Sequence, residues 1–194
     1  MAPPTDKPRL SQLDPREVAE HATALLGEHV VRLMFHLDPS IVWQRPSAES
    51  SSIGFTAALL TEYARTGRDP EESDDAPGAK LAVDRVQDLC TALYSMAGRP
   101  GTFEVPDLTQ AVDGDEPTDP VAVVLVAAWA RIGLQEGRAV TKRELAVLAS
   151  MSAGQVRQLV RSGEIRAEGA MVSAVEARRW LGTRGVTGFG KEAR

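Results

Sequence analysis

Cysteine occurs once in the 194 residues, at Cys90. A lone thiol excludes an intramolecular disulfide and a thiolate metal cage, and the expected state is a buried, reduced side chain. Aromatic residues are scarce as well, 5% of a chain that is 43% hydrophobic. With Ala, Leu and Val dominant and Pro and Gly clustered between the apolar runs, that balance favours packed helices over sheet and suffices to bury a core. The amino end, MAPPTDKPRLSQLD, has no apolar segment of the kind a secretory signal needs, so residues 1–13 read as a disordered lead-in. No apolar run reaches the roughly 20 residues of a membrane span. The longest, Val121 to Ala130, runs into Arg131. The expectation is a cytoplasmic protein with no membrane partner.

The residue patterns of common catalytic sites are also missing. There is no glycine-rich phosphate loop, no HExxH and no visible grouping of nucleophile, base and orienter, so neither catalytic residues nor a cofactor is expected. His21, His29 and His36 lie eight and seven residues apart on one expected helix. Each step rises roughly 10 Å or more, too far to share an ion, and no metal site is expected. The segment 66–78 sets Asp69, Glu71, Glu72, Asp74 and Asp75 against Arg68 alone. It lacks the alternating ligands and terminal Glu of a calcium loop and reads as an exposed, solvated loop.

What is present is a succession of helix signals. Asp14-Pro15 places a cap and a first-turn proline at the start of a helix to about Leu37, with Val18, Ala22, Leu25, Leu26, Val30, Leu33, Met34 and Leu37 in one stripe. Ile41, Val42 and Trp43 form a short segment before the Ser-rich loop 46–54. Helices are expected over about 54–65 and 79–97, the latter stopping at Gly98 and Pro100. The loop 112–120 leads to a second Asp-Pro start at Asp119-Pro120, and the helix to about Glu136 is apolar almost all round. Such a helix is either a central core helix or one covered by a second subunit.

Charge is divided unevenly. From residue 139 onward ten Lys/Arg stand against five Glu, a net of +5, while residues 1–138 carry a net of −10. A basic module on an acidic body suggests a face for nucleic acid. Within the module Thr141 and Glu144 have capping-box spacing and open a helix at Lys142. After a turn at Ser150-Met151-Ser152, Ser152 and Gln155 repeat the spacing and open a second helix that ends at Gly163. Val156, Leu159 and Val160 face inward there, leaving Gln155, Arg157, Gln158, Arg161 and Ser162 outside. A very small β-hairpin is expected over 165–172 around Glu168-Gly169. Ser173 and Glu176 then open a third helix, closing on Trp180-Leu181.

The stretch VTKRELAVLASMSAGQVRQLVRSGEI with VSAVEARRWL resembles the winged helix-turn-helix of excisionase and MerR-like DNA-binding domains over about residues 139–183. The resemblance implies that the first helix supports, the second enters the major groove, the wing touches backbone, and the helix ending in Trp-Leu packs the module together. Carried over by position, Ser152, Gln155, Arg157, Gln158, Arg161 and Arg166 would face DNA. Gln suits adenine, Arg guanine, and Ser at a helix start a phosphate.

The expected fold is therefore mostly α. A disordered lead-in (1–13) precedes an acidic helical domain for dimerisation or partner binding (14–137), a helix-turn-helix module with a minimal or absent hairpin (138–183), and a flexible basic tail (184–194). The expected function is sequence-specific binding of double-stranded DNA by a homodimeric transcriptional regulator, with helix 120–136 as the candidate dimer interface. The alternatives are an adaptor that uses the helix-turn-helix fold for protein contact, and an enzyme of unknown class.

Overall fold

The structure is a computed structural model that describes residues 8–37, 40, 44, 46–94 and 119–189. The expected segment 41–43, the helix stop at 98–100, the loop 112–118 and the tail cations Lys191 and Arg194 lie outside the described residues. Among those described are seven α-helices: α1 (Pro15–Leu37), α2 (Ser52–Thr66), α3 (Gly78–Leu93), α4 (Pro120–Gln135), α5 (Lys142–Leu148), α6 (Ala153–Arg161) and α7 (Ala174–Thr183). A single two-stranded antiparallel sheet joins β1 (Val140–Thr141) to β2 (Met171–Val172), with Val140 opposite Val172 and Thr141 opposite Met171.

Every α-helix but α3, which follows Pro77 without a side-chain cap, begins where a short polar side chain satisfies a free N–H of its first turn. The Asp14 carboxylate accepts from the Arg16 N–H at 2.7 Å, Ser51 caps α2, and Asp119 accepts from Val121 with Pro120 in the first turn of α4. Asp119 does more than cap. Its second oxygen accepts from the Tyr94 hydroxyl at 2.7 Å, and His21 Nε2 lies 3.3 Å from its first. The start of α4 is thereby tied to both α1 and the end of α3.

α4 is the centre of the molecule. Thirteen of its residues are buried, packed by α1, α2 and α3 on one side and by α5 and α7 on the other. The candidate dimer helix is thus covered by its own chain and has no free face to offer a second copy. One hydrophobic core runs continuously from Leu10 to Leu181. The expected boundary at 137/138 falls on a tight turn at Gly137, but the core does not divide there: Val140, Leu145 and Leu181 of the module pack into the cluster that holds α4.

The described residues nearest the two ends, 8–13 and 184–189, depart from the expectation in the same sense. Leu10 and Leu13 are buried around a 3-10 turn, Leu10–Gln12, and the Ser11 N–H donates to Ser150 Oγ at 3.0 Å. Two leucines three residues apart supply the apolar face that ties residues 10–13 down. At the other end Val186 and Phe189 pack on the core, and the Phe189 ring lies 4.5 Å from the Arg131 guanidinium. Gly188 is the tight point of that return. Its φ is +82°, and a Cβ there would stand 2.6 Å from the Thr66 carbonyl oxygen and 2.7 Å from Arg131 Nη1. Gly188→Ala is expected to cost about 2 kcal/mol, read from urea midpoints followed by circular dichroism with native helix content unchanged.

The acid-rich segment is also less free than its composition suggests. Asp69 is buried, its carboxylate ion-paired with the equally buried Arg85 of α3, whose Nη2 reaches Glu71 at 2.6 Å. Asp69 Oδ1 additionally accepts from the Glu71 N–H at 2.9 Å. The like-charged Glu72, Asp74 and Asp75 remain exposed beside this anchor. Cys90 is fully buried and its thiol is pushed up to about 12 by burial, so it is held protonated.

α1 is 23 residues long and α2, against which it lies, 15. At 1.5 Å per residue the longer helix outruns the shorter by about 12 Å. The expected inward stripe therefore holds for Val18 and Ala22 but not for Leu33, which is 54% exposed beside Val31 and Phe35.

Candidate nucleic-acid interface

The module is built from local signals. In α5 the Thr141 hydroxyl accepts from the Glu144 N–H at 3.1 Å and the Glu144 carboxylate accepts from the Thr141 N–H at 2.6 Å, a complete capping box. In α6 the same exchange joins Ser152 and Gln155 at 3.2 and 2.9 Å. Between them the chain turns through Ser150, a non-glycine residue at φ +53°. The Met151 N–H closes the turn on the Ala146 carbonyl at 2.9 Å. Gly163, at φ +80°, follows α6, and the Glu164 N–H returns to the Leu159 carbonyl at 3.0 Å.

α6 buries Val156 completely and half-buries Leu159 and Val160, and it turns Gln155, Arg157, Gln158, Arg161 and Ser162 to the outside. Arg157 and Arg161 are four residues apart, as are Gln158 and Ser162, so the polar side chains share one stripe. From Ser152 to Gly163 there is no acidic residue. The structure thus brings Gln155, Arg157, Gln158 and Arg161 onto one exposed face. Ser152 is only half-exposed, and its hydroxyl and the Gln155 amide oxygen are occupied by the capping box. Their first task is to hold the helix start.

The expected third capping box forms only in part. Ser173 accepts from the Glu176 N–H at 3.3 Å, but the Glu176 carboxylate turns away from the cap. It accepts from the Arg166 N–H at 3.0 Å and from the Arg179 guanidinium at 2.7 and 3.0 Å. Arg166 is exposed, yet its charge acts on Glu176, and no hydrogen bond or ion pair joins it to the α6 face among the described residues. The wing is correspondingly reduced. Glu168 and Met171 exchange backbone hydrogen bonds at 2.9 and 3.0 Å around Gly169, but Met171–Val172 then pairs with β1 rather than with 165–167. An antiparallel partner was already available in Val140, which is fully buried and opens the module.

Trp180 closes the module from below. It is 1% exposed, donates from Nε1 to Glu164 Oε1 at 3.2 Å, and carries the Arg184 guanidinium 5.1 Å from its ring. Arg138 is a basic residue whose role the sequence pattern did not show. It stacks on Trp129 at 5.0 Å and lies 3.7 Å from the buried Glu144, tying the first capping box to α4. Nothing local marks it, since Trp129 is nine residues away and Glu144 six.

Glu176 gives the module an acid-sensitive link. The Arg179 hydrogen bonds, then the Arg166 N–H, hold its carboxyl down at about 2 against an ordinary value of 4.5. A depressed carboxylate stabilises the fold above its unfolded value, and that contribution is lost as pH falls from 4.5 towards 2. Urea midpoints at pH 7 and pH 3 should therefore differ less for Glu176→Gln than for the native chain. An equal difference in both would show that the link is energetically silent.

No family model matches the chain, and no curated protein or solved structure matches it. Among the described residues no group of His, Cys, Asp and Glu could hold a metal ion, and no helix is long and apolar enough to cross a membrane.

Proposed function

We propose that the protein binds double-stranded DNA in a sequence-specific manner as a transcriptional regulator, with α6 in the major groove. The observation that carries the reading is the outward face of α6: two Arg and two Gln on one stripe, with no carboxylate from residue 152 to 163. Gln158, Arg157 and Arg161 are the base- and phosphate-contacting set. Ser152 and Gln155 stand at the helix start, where the positive end of the α6 dipole suits a phosphate. The module's net +5 against the body's −10 orients the approach, since the acidic body is repelled unless it faces away.

One module makes few contacts, so the binding unit is a two-fold dimer on a pseudo-palindrome, formed through a surface other than α4. Sedimentation at micromolar concentration should give a dimer, and a strict monomer would remove that element. The reading assigns no catalytic group and no cofactor. Fluorescence anisotropy of the full chain with DNA from its own upstream region and with scrambled DNA, at two salt concentrations, tests it. Tight binding that prefers the upstream sequence and weakens steeply with salt is expected. Absence of binding to either would overturn it.

A further inference from the structure

A cavity of about 360 Å³ opens at the seam between the helical body and the module. Four separate stretches of chain wall it: the N-terminal 3-10 turn, the end of α2, the end of α5 with the Ser150 turn, and residues 184–187 after α7. The volume falls in the range of small-molecule pockets, at its lower end. We propose that this cavity binds a small organic anion with a single acidic group on an apolar body.

The acidic group is selected by the charges. Arg65 and Arg184 both line the cavity, and among the described residues no Asp or Glu does. Their present partners are weak: Arg65 lies 3.8 Å from Glu62, and Arg184 3.4 Å from Glu164, with all four side chains 38 to 50% exposed. Exposed pairs of this kind contribute little, so exchanging them for an anion held between two guanidinium groups costs little. A third cation stands behind the wall. Arg131 is 1% exposed and hydrogen-bonds only backbone carbonyls among the described residues. Its Nη1 lies 2.7 Å from the Cβ positions of both Gly67 and Gly188, the neighbours of the lining residues Thr66 and Thr187. No carboxylate pairs with it among the described residues, and its burial leaves its field little screened by solvent.

The apolar body is selected by Ala149 and Val186, which present hydrocarbon between the lining hydroxyls of Ser11, Thr66, Ser150 and Thr187, with the nearly buried Leu10 and Leu148 beside them. Inorganic phosphate would leave that surface unused. The occupant would touch Ser150, whose left-handed backbone turns the chain from α5 into the groove-facing helix. The proposal goes beyond the DNA reading and is tested without DNA, so its failure and the failure of that reading are distinguishable.

The experiment titrates the full chain with 8-anilinonaphthalene-1-sulfonate, a fluorescent aromatic anion, and with the uncharged N-phenyl-1-naphthylamine. The sulfonate is expected to fill one saturable site, and the uncharged probe to bind at least about ten-fold more weakly, as loss of a charge-assisted hydrogen bond implies. R65Q/R184Q should weaken the sulfonate by at least the same factor. Thr187→Trp, which fills the cavity and leaves both guanidinium groups in place, should abolish binding and carries the test if the double variant fails to fold. Phe35→Ser and Phe55→Ser, on exposed apolar surface elsewhere, should leave binding unchanged. No saturable site, equal affinity for both probes, unaltered binding in Thr187→Trp, or loss in either Phe variant would overturn the proposal.

Discussion

Arg131→Met is expected to lower the stability of the protein by about 3 kcal/mol. The guanidinium donates from Nε to the Ala64 carbonyl at 3.0 Å and from Nη2 to the Arg65 carbonyl at 3.1 Å. These belong to the last turn of α2, whose carbonyls have no partner within the helix. The side chain therefore acts as a C-terminal cap delivered from α4, at the negative end of the α2 dipole. Each charge-assisted bond is worth roughly 1.5 to 3 kcal/mol, and a side chain without donors leaves the buried Ala64 carbonyl and the part-buried Arg65 carbonyl without this partner. Against this, Met no longer requires a charge to be taken out of water, a cost visible in the Arg131 pKa, which burial pulls down to about 10. The balance is the stated loss. Arg131→Lys keeps the charge but cannot reach two carbonyls while lying flat on Phe189, so about half the loss should remain. Urea unfolding followed by circular dichroism reads both. A Met variant within about 0.5 kcal/mol of the native protein would show that the cap is dispensable.

Arg131 also marks the limit of what the sequence discloses. In the sequence it ends an apolar run, and an arginine there suggests the point where a helix meets water. Its partners are backbone carbonyls 66 and 67 residues away, which no side-chain pattern records. Asp69 and Arg85 fail in the same way, because an acid-rich segment looks solvated until its one buried member finds a cation on another helix. The seam cavity is drawn from four distant stretches and has no local signature at all.

Local chemistry was legible. The Asp-Pro starts of α1 and α4 and the boxes at Thr141 and Ser152 placed helix starts to within a residue, because a cap and the N–H it satisfies are only two or three positions apart. Where the same spacing met a competing partner, as at Glu176, the local rule yielded to the tertiary contact. Hydropathy alone left α4 open between a core helix and a subunit interface, since both hide a helix from water. The packing of α2 and α3 on one side and α5 and α7 on the other decides for the core. The same packing makes the module an extension of the body's core, so α5 is held by α4 as much as by its own neighbours in the module.

The reading of α6 stands or falls on Arg157 and Arg161. Replacing both by Ala is expected to weaken binding to the preferred sequence by several kcal/mol if the pair includes a bidentate base pairing, each such Arg–base interaction being worth about 1 to 3 kcal/mol of discrimination. It should also flatten the dependence of log K on log salt by up to about two units, one for each phosphate that loses its cation. The two effects separate the roles. A weakening confined to the preferred sequence with the slope intact assigns the pair to base edges, whereas a uniform weakening with a flatter slope assigns it to backbone. Both side chains are exposed and the helix is anchored by Val156 and its capping box, and circular dichroism of the double variant checks that the fold is kept. Gln158→Ala, on the same stripe and uncharged, should alter sequence preference and leave the salt slope where it was. If the Arg pair can be removed with DNA affinity and slope both unchanged, α6 is not the groove-facing helix, and the basic module is left with a protein-contact role.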